Sequence, residues 1–516
     1  MLANALAALE ATAVAAAVPT AVGELGGMAR YSWVFSAYLL TSTTTVPMYG
    51  KLADLYGRRR VFHFAVAIFL AGSALSGAAG SLDQLILFRA LQGLGAGGVQ
   101  PIALTLIGDI FTLEERGRIQ GLFSGVWGAA SLLGPPLGGL IADTVSWRWI
   151  FYLNVPLGLG ASLILQRYLR EEEAVARGPR RLDVAGTLVL TAAVTALLVA
   201  LLEAGGIGGF SHPLTLSLFA AAVCGLGLFL WQERRAEDPM LPLELFGDRL
   251  ISVSSALNVV IGTLVFSITA FVPMWSQGVL GGSAVAAGAV LTPMLLGWPI
   301  ASLIAGRLLL RVGYRKLARF GGLAAVAGGL MLVHAGGSAA TAGRAEVMAA
   351  TLVIGFGLGF LAMPSLIAVQ NAAPWGRRGV ATSTVLFFRT IGGTVAVAAF
   401  GALLNAHLEG LAGGRGHSPG QAIDTNAALE PALRARLPPA ALRALTGALA
   451  SGLQAVFVAM AVAAAAGLAL AMLFPAGLPR QRPADGAPPV KTPPAPPAAP
   501  AAPTTPTPEA PRSAML

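Results

Sequence analysis

Cysteine is nearly absent from this 516-residue sequence, because Cys224 is the only one. An intrachain disulfide and a cysteine-based metal site are therefore excluded. The five histidines form no His-x-x-x-His pair, so nothing in the sequence supports metal chemistry. No nucleophile–base set is visible either, which argues against an enzyme. We expect a protein that needs no cofactor.

Charge is also scarce. Charged residues make up 11% of the chain and hydrophobic residues 55%, with a mean hydropathy of +0.72. Such a chain is too apolar for a soluble domain, and it predicts an integral protein of the lipid bilayer. The net charge of +10 does not indicate nucleic acid, because the cations lie in short loops rather than on a soluble basic face.

A basic leader is missing as well, since the first 29 residues contain no Lys or Arg. A signal peptide would begin with a basic region before its apolar run. We therefore interpret residues 2–22 as a first transmembrane span.

The stretch from Gly50 to Arg60 contains four basic residues, Asp54 and two glycines between two long apolar segments. Each segment can cross a hydrocarbon core of about 30 Å at about 1.5 Å per residue. Lys51, Arg58, Arg59 and Arg60 place this elbow on the cytoplasmic side, where cationic loops are retained. A solvated turn without further function is the alternative, which the spacing Gly-x-x-x-Asp-x-x-Gly-Arg-Arg disfavours.

Apolar runs bounded by charged or Gly/Pro-rich breaks predict an all-α bundle of fourteen transmembrane helices. They lie near 2–22, 33–54, 61–80, 84–108, 117–142, 149–168, 183–203, 213–232, 249–276, 285–306, 318–335, 345–369, 380–404 and 448–474. An even number places both termini on one side. Most of the 34 Lys and Arg residues lie in the loops and tail of that side, which makes it cytoplasmic.

A second elbow from Gly306 to Lys316 repeats the first, with Leu310 in the place of Asp54. Such internal duplication is common in transporters. We predict a six-helix half over 1–168, an inserted helix pair over 169–248 and a second six-helix half over 249–474 (6+2+6). Residues 475–516 are rich in Pro and Ala and favour a disordered cytoplasmic tail.

Polar residues inside the predicted spans are candidates for function. Arg89, Gln92 and Gln100 share one face of the fourth span. An intramembrane Arg marks a functional site by default, because burying it is costly. Snorkelling of Arg89 to the outer surface is the alternative, since it lies about 8 Å inside that end of the span.

The fifth span contains Gly134-Pro135-Pro136-Leu137-Gly138-Gly139, in which Gly134 and Gly138 form a Gly-x-x-x-Gly face. The two prolines should interrupt the backbone ladder, so we expect a helix that packs closely and bends. Tight packing without a functional role is the alternative.

Glu10 is the only carboxylate well within the first span. Counting about 1.5 Å per residue from Met1 places it roughly 15 Å in, near the middle of the bilayer. Burial favours a protonated carboxyl and an approaching guanidinium favours the carboxylate. Movement of Arg89 relative to Glu10 could therefore load and release a proton, although Glu10 could also only bond a neighbouring helix.

These motifs together resemble the major facilitator superfamily, and more closely its fourteen-helix drug:proton antiporter family. The elbow 50–60, the segment 89–95 and the segment 134–139 match three motifs of that family. The stretch 147–158 resembles its sixth-helix signature, and Gln370-Asn371, 379–383 and 389–393 resemble its thirteenth-helix region. The resemblance covers residues 1 to about 474. Two positions depart from it, since Glu10 replaces Asp and Ala130 replaces Gly.

The resemblance implies a proton-driven multidrug exporter of the cell membrane, with a role in antibiotic resistance and the proton gradient as its energy source. Glu10, Arg89 and Gln92 would carry proton coupling, and Gly50, Asp54, Gly57, Arg58 and Arg59 a conformational latch. Gly134, Pro135, Gly138 and Gly139 would form the antiporter motif, and Arg389 is the candidate in the second half. A lipid or metabolite exporter and a non-transporting scaffold or receptor are the alternatives, and the oligomeric state stays open.

The substrate is expected to be a small lipophilic compound, monocationic or neutral. The ninth, tenth and thirteenth spans contain no carboxylate, so the second half offers no obvious partner for a second positive charge. Dications should therefore be disfavoured.

Overall fold

The computed structural model describes residues 1–25, 31–168, 183–204, 209–237, 239, 241–281, 289–337, 343–412 and 438–475. This part of the chain contains fourteen long α-helices and two short 3₁₀ helices, Leu243–Gly247 and Trp375–Arg377. The long helices are α1 (Leu2–Leu25), α2 (Tyr31–Tyr56), α3 (Arg58–Gly77), α4 (Leu82–Ile110), α5 (Leu113–Thr144), α6 (Arg148–Tyr168), α7 (Val184–Ala204), α8 (Pro213–Arg235), α9 (Arg249–Gly278), α10 (Thr292–Val312), α11 (Tyr314–Gly337), α12 (Arg344–Ala372), α13 (Arg378–Ala412) and α14 (Pro439–Met472).

Ten of the helices in the described ranges are long and apolar enough to cross a membrane by length and composition. They are α3, α4, α6 and α8 to α14. The remaining four, α1, α2, α5 and α7, also lie over predicted spans, and α2 carries a run of hydroxyl side chains from Thr41 to Thr45. The chain is thus an all-helical, multi-pass membrane protein.

The two elbows are much shorter than the sequence suggested. α2 continues to Tyr56 and α3 begins at Arg58, so Gly57 alone joins them, with φ 93°. Gly313 joins α10 to α11 in the same way, with φ 83°. Glycine adopts positive φ without a steric penalty, so it allows the chain to reverse within one residue. The predicted spans 33–54 and 61–80 left residues 55–60 as the connection, but all of these except Gly57 belong to helices.

Two groups of described helices, α1–α6 and α9–α14, here called the first and the second half, show a similar pattern of contacts. In the first half α4 packs against α2 and α3, and α1 packs against α5. In the second half α12 packs in the same way against α10 and α11, and α9 packs against α13. Between the halves, the second helix of each packs on the fifth helix of the other, as α2 on α13 and α10 on α5.

Glycines mark both crossings between the halves. A Cβ atom added at Gly117 of α5 would lie 2.5 Å from the Cα atom of Gly306 on α10. A Cβ atom added at Gly379 of α13 would lie 2.7 Å from the carbonyl oxygen of Gly50 on α2. Gly50 and Gly306 each precede their elbow glycine by seven residues. Small residues let helix backbones approach this closely.

The helix pair α7–α8 packs against this bundle through α7. The two helices contact each other, and α7 also contacts α2 and α13. The segment after α8 returns to the elbow, where the buried Lys51 Nζ donates to the Pro239 carbonyl at 2.8 Å. The pair therefore touches helices of both halves.

Candidate functional site

The centre of the first half contains a buried ion pair between α1 and α4. Arg89 donates through Nη1 to Glu10 and, at 2.7 Å, to Gln92 Oε1. Glu10, Arg89 and Gln92 are all almost fully buried. The structure thus brings together the three residues that the sequence singled out for proton coupling, and it places Arg89 inside the bundle rather than at its surface.

Three further side chains complete this cluster. Asn154 of α6 donates to Glu10 Oε2 at 2.5 Å and to the Ser73 hydroxyl of α3 at 3.0 Å. The Arg89 guanidinium lies 4.2 Å above the ring of Tyr38 on α2, a cation–π contact. Sequence reasoning missed all three, although Asn154 lies within the motif 147–158.

The cluster lies near the ends of α3, α4 and α6 that are opposite the elbows. Asn4 donates to the carbonyl of Phe123, which lies ten residues beyond the start of α5. The first residues of α1 therefore lie beside the middle part of α5 rather than beside its first turn. The partners Ser73, Arg89 and Asn154 lie only four to seven residues from that opposite end of their helices. The mid-bilayer depth of Glu10 stays a prediction, and Thr12 of α1 lies beside Ala130, near the middle of α5.

The small residues of α5 allow α1 to approach. A Cβ atom at Gly134 would lie 1.9 Å from Thr12 Oγ1, and one at Gly138 would lie 2.5 Å from the Ala13 carbonyl. α5 runs as one helix from Leu113 to Thr144, and the bend expected at its prolines stays a prediction. The contacts of Pro135 and Gly139 lie outside what the structure describes. Gly134 and Gly138 thus let α1, the helix that carries Glu10, pack closely against α5.

A second charged cluster joins the two halves at the elbow end. Asp54 of α2 accepts hydrogen bonds from the backbone N–H groups of Gly379 and Val380, at 3.0 and 2.8 Å, in the first turn of α13. It also pairs with Arg58 at 2.8 Å. A carboxylate at a helix N-terminus is stabilised by the helix dipole and the unpaired N–H groups there.

Asp109 extends this cluster from α4. It pairs with Arg58 at 2.7 Å and with Arg378 of α13 at 2.9 Å. Arg378 also donates to the Gly108 carbonyl at 3.1 Å. Arg59, the next residue of the elbow motif, is half-buried in the first turn of α3.

Polar contacts between the halves continue beside these ion pairs. Arg116 of α5 donates to Asn371 Oδ1 at 2.8 Å, and Asn371 donates to the Tyr314 hydroxyl at 2.9 Å. Gln370 donates to the Leu104 carbonyl at 3.1 Å. Arg116 and Tyr314 carried no sequence signal of this role, because their partners are distant in the chain.

The candidate of the second half, Arg389, lies apart from both clusters. Its Nε and Nη2 atoms donate to Asn258 Oδ1 of α9, at 2.9 and 2.7 Å. The partner is a neutral amide rather than a carboxylate. The intramembrane arginine of the first half thus has a carboxylate partner, and that of the second half has an amide partner.

Comparison with known proteins agrees with this architecture. The family model described as Major Facilitator Superfamily matches residues 1–397. The chain belongs to the major facilitator superfamily. Members of this superfamily are membrane transporters, which is consistent with a bundle of two similar halves around buried ionisable residues.

Two relatives of this superfamily chain come from Bacillus subtilis. The multidrug transporter protein MdtP is 39% identical over 77% of this chain and 73% of its own length. Multidrug resistance protein 3 is 34% identical over 88% of this chain and 89% of its own length. Among solved structures, the human organic anion transporter MFSD10 matches with a TM-score of 0.59 over 91% of this chain and 97% of its own. Its 15% identity supports the fold alone.

Proposed function

We propose that this transporter is a proton-coupled exporter of lipophilic small molecules and belongs to the fourteen-helix drug:proton antiporter family. The observation that supports the proposal is the buried cluster of Glu10, Arg89 and Asn154. A carboxylate held this way inside a membrane bundle is costly, so a stable scaffold would have little reason to contain it. The relatives named as multidrug transporters support the choice of substrate.

The proton would bind Glu10 when its contact with Arg89 or Asn154 loosens. In the present structure Glu10 accepts hydrogen bonds from both, which is the arrangement of an ionised carboxylate. Protonation would remove the charge that holds Arg89, and it would free α1, α4 and α6 to change their relative positions.

Alternating access would proceed by rocking of the two halves. Every hydrogen bond that the structure describes between α1–α6 and α9–α14 lies at the elbow end, and both glycine crossings are there too. If the elbows are cytoplasmic, this conformation is closed to the cytoplasm. The clusters around Asp54 and Asp109 would then act as a latch for the outward-facing state.

The topology follows from the cation distribution and gives a first prediction. We expect both termini to be cytoplasmic, with fourteen crossings, and the connection between α13 and α14 to be outside. A reporter enzyme that is active only outside the cytoplasm should give signal when inserted at position 420 and none when fused to the C-terminus. Signal from the C-terminal fusion would contradict the orientation.

The latch gives a second prediction. Asp54→Asn should slow transport several-fold without lowering expression, because charge-assisted hydrogen bonds are worth about 1.5–3 kcal/mol each. Efflux rate per molecule of protein, normalised by immunoblot, measures this. Glu244→Gln is the control, since Glu244 forms an exposed ion pair with Arg377 at the same end, and such surface pairs contribute little. Unchanged turnover in Asp54→Asn would leave Asp54 as an ordinary helix-end residue.

Export itself can be tested in cells deprived of their own pumps. Several unrelated lipophilic dyes and drugs should be exported by cells that produce the protein, and a protonophore should stop the export. A dicationic diamidine in the same panel should be exported poorly, because the predicted ninth, tenth and thirteenth spans contain no carboxylate. Efflux that persists with the protonophore would refute proton coupling, and lipid accumulation in a deletion strain without any drug efflux would favour a lipid exporter.

A further inference from the structure

The second half contains an intramembrane guanidinium, Arg389, to which none of the described residues supplies a counter-ion. Arg389 donates twice to the amide oxygen of Asn258, and within the described ranges it forms no ion pair. Arg89 of the first half, in contrast, is paired with Glu10. Burying a cation is costly unless an anion compensates its charge. Arg89 has such an anion in Glu10, whereas no described residue supplies one to Arg389.

Within the described part of the chain, no carboxylate forms an ion pair with Arg389. In α9–α14 the only acidic residues are Glu346, in the first turn of α12, and Glu409, close to the end of α13. Arg389 lies eleven residues, or about 16 Å, from the start of α13. The Glu10–Arg89 pair is neutral overall. The middle of the bundle therefore has a net positive charge at Arg389.

Arg389 faces the interior of the protein. α13 contacts α2, α4, α7, α9 and α14, and from Val380 to Leu404 none of its residues is classed as exposed. Arg389 itself is only partly buried. Part of the Arg389 side chain is therefore accessible.

The neighbours of Arg389 hold it in a fixed orientation. Asn258 is fully buried and donates through Nδ2 to the Ser365 hydroxyl at 3.0 Å and to the Ser254 carbonyl at 2.8 Å. Its Oδ1 is thereby directed at Nε and Nη2 of Arg389. No hydrogen bond from Nη1 is described. The Nη1 edge of the guanidinium can therefore donate to a further acceptor.

We propose that Arg389, positioned by Asn258, is an anion subsite that binds the carboxylate, or another anionic group, of a lipophilic substrate. This inference rests on the proposed export function and names a class of compound exported. It revises the expectation of a monocationic substrate, because a cation would meet the charge of Arg389. A planar guanidinium edge suits a carboxylate, whose oxygens accept parallel N–H donors.

Binding of a matched set of probes tests the subsite without any proton gradient. We would measure fluorescence-detected binding of 1-pyrenebutyrate, its methyl ester and 1-pyrenebutylamine to the purified full-length protein in nanodiscs. The parent should bind the carboxylate about tenfold or more tightly than the ester, since a charge-assisted hydrogen bond corresponds to at least one decade in affinity. The amine should bind most weakly.

Two substitutions should remove this preference by different routes. Arg389→Gln removes the charge, and Asn258→Asp places a carboxylate where the amide oxygen already lies within 2.9 Å of the guanidinium. Each should bring carboxylate and ester affinities within about twofold, well inside one decade. Arg389→Lys should keep part of the preference. Equal affinities of the parent for carboxylate and ester, or a preference that survives in both folded variants, would overturn the proposal.

The outcome is separable from that of the proposed function. Carboxylate preference without protonophore-sensitive efflux would support the subsite and refute proton-driven export. Protonophore-sensitive efflux of the ester and amine without carboxylate preference would do the reverse. Size-exclusion profiles of the variants show whether each is folded, and the parent comparison stands even if one variant is not.

Discussion

Replacing Glu10 with Gln should reduce proton-driven efflux to the level of cells without the protein. Gln retains the size of the side chain but cannot take up and release a proton or pair with the Arg89 guanidinium. Substrate binding and downhill exchange should continue, because they need no proton. Proteoliposomes with an imposed pH gradient and a pH-sensitive dye would measure substrate-induced proton movement directly.

Two further variants make this test specific. Glu10→Asp should retain activity, since a carboxylate remains and the resembling family has Asp at this position. Glu24→Gln is the matched control on the same helix, because Glu24 is an exposed carboxylate that accepts from Arg148 and Trp147 at the end of α1. If Glu10→Gln still moves protons with substrate as the parent does, the coupling residue must be sought elsewhere, with Asp109 the first choice.

Replacing Gly117 with Val should cause a comparably large loss by opening the elbow end of the bundle. The added Cβ would lie 2.5 Å from the backbone of Gly306, and neither backbone can move aside within its helix. Overpacking costs about 1–3 kcal/mol. Because only the closed state bears this cost, its population relative to the open state should fall by about 5- to 150-fold.

Cysteine labelling can follow that opening. Cys224 is replaced by Ala, and Ser383→Cys is introduced as the reporter, since Ser383 is fully buried against Gly50 at the other crossing. The Gly117→Val variant should react with a membrane-impermeant maleimide far faster than the parent. Gly125→Val is the control in the same helix, where no atom lies within 4 Å of an added Cβ. Equal labelling rates in parent and Gly117→Val would show that this contact does not close the bundle.

The sequence by itself determined the class of this protein. Hydropathy and charge are local properties, so the apolar runs and the cationic elbows indicated a multi-pass membrane protein with an internal duplication. Motifs carried the assignment to the major facilitator superfamily, which the family comparison confirmed. Glu10 and Arg89 could be singled out one at a time, because any ionisable residue within an apolar span is costly.

Only the tertiary structure decided which residues meet. Asn154 is 144 residues from Glu10, and Arg378 is 269 residues from Asp109, so no local pattern relates them. Each elbow turned out to be a single glycine, and at the first one Asp54 remains in its helix and accepts hydrogen bonds from the start of α13. The position of Glu10 depended on how α1 lies along α5, and the unpaired charge of Arg389 became apparent once its only described acceptor proved to be Asn258. These properties arise from packing between distant segments, which hydropathy and spacing do not encode.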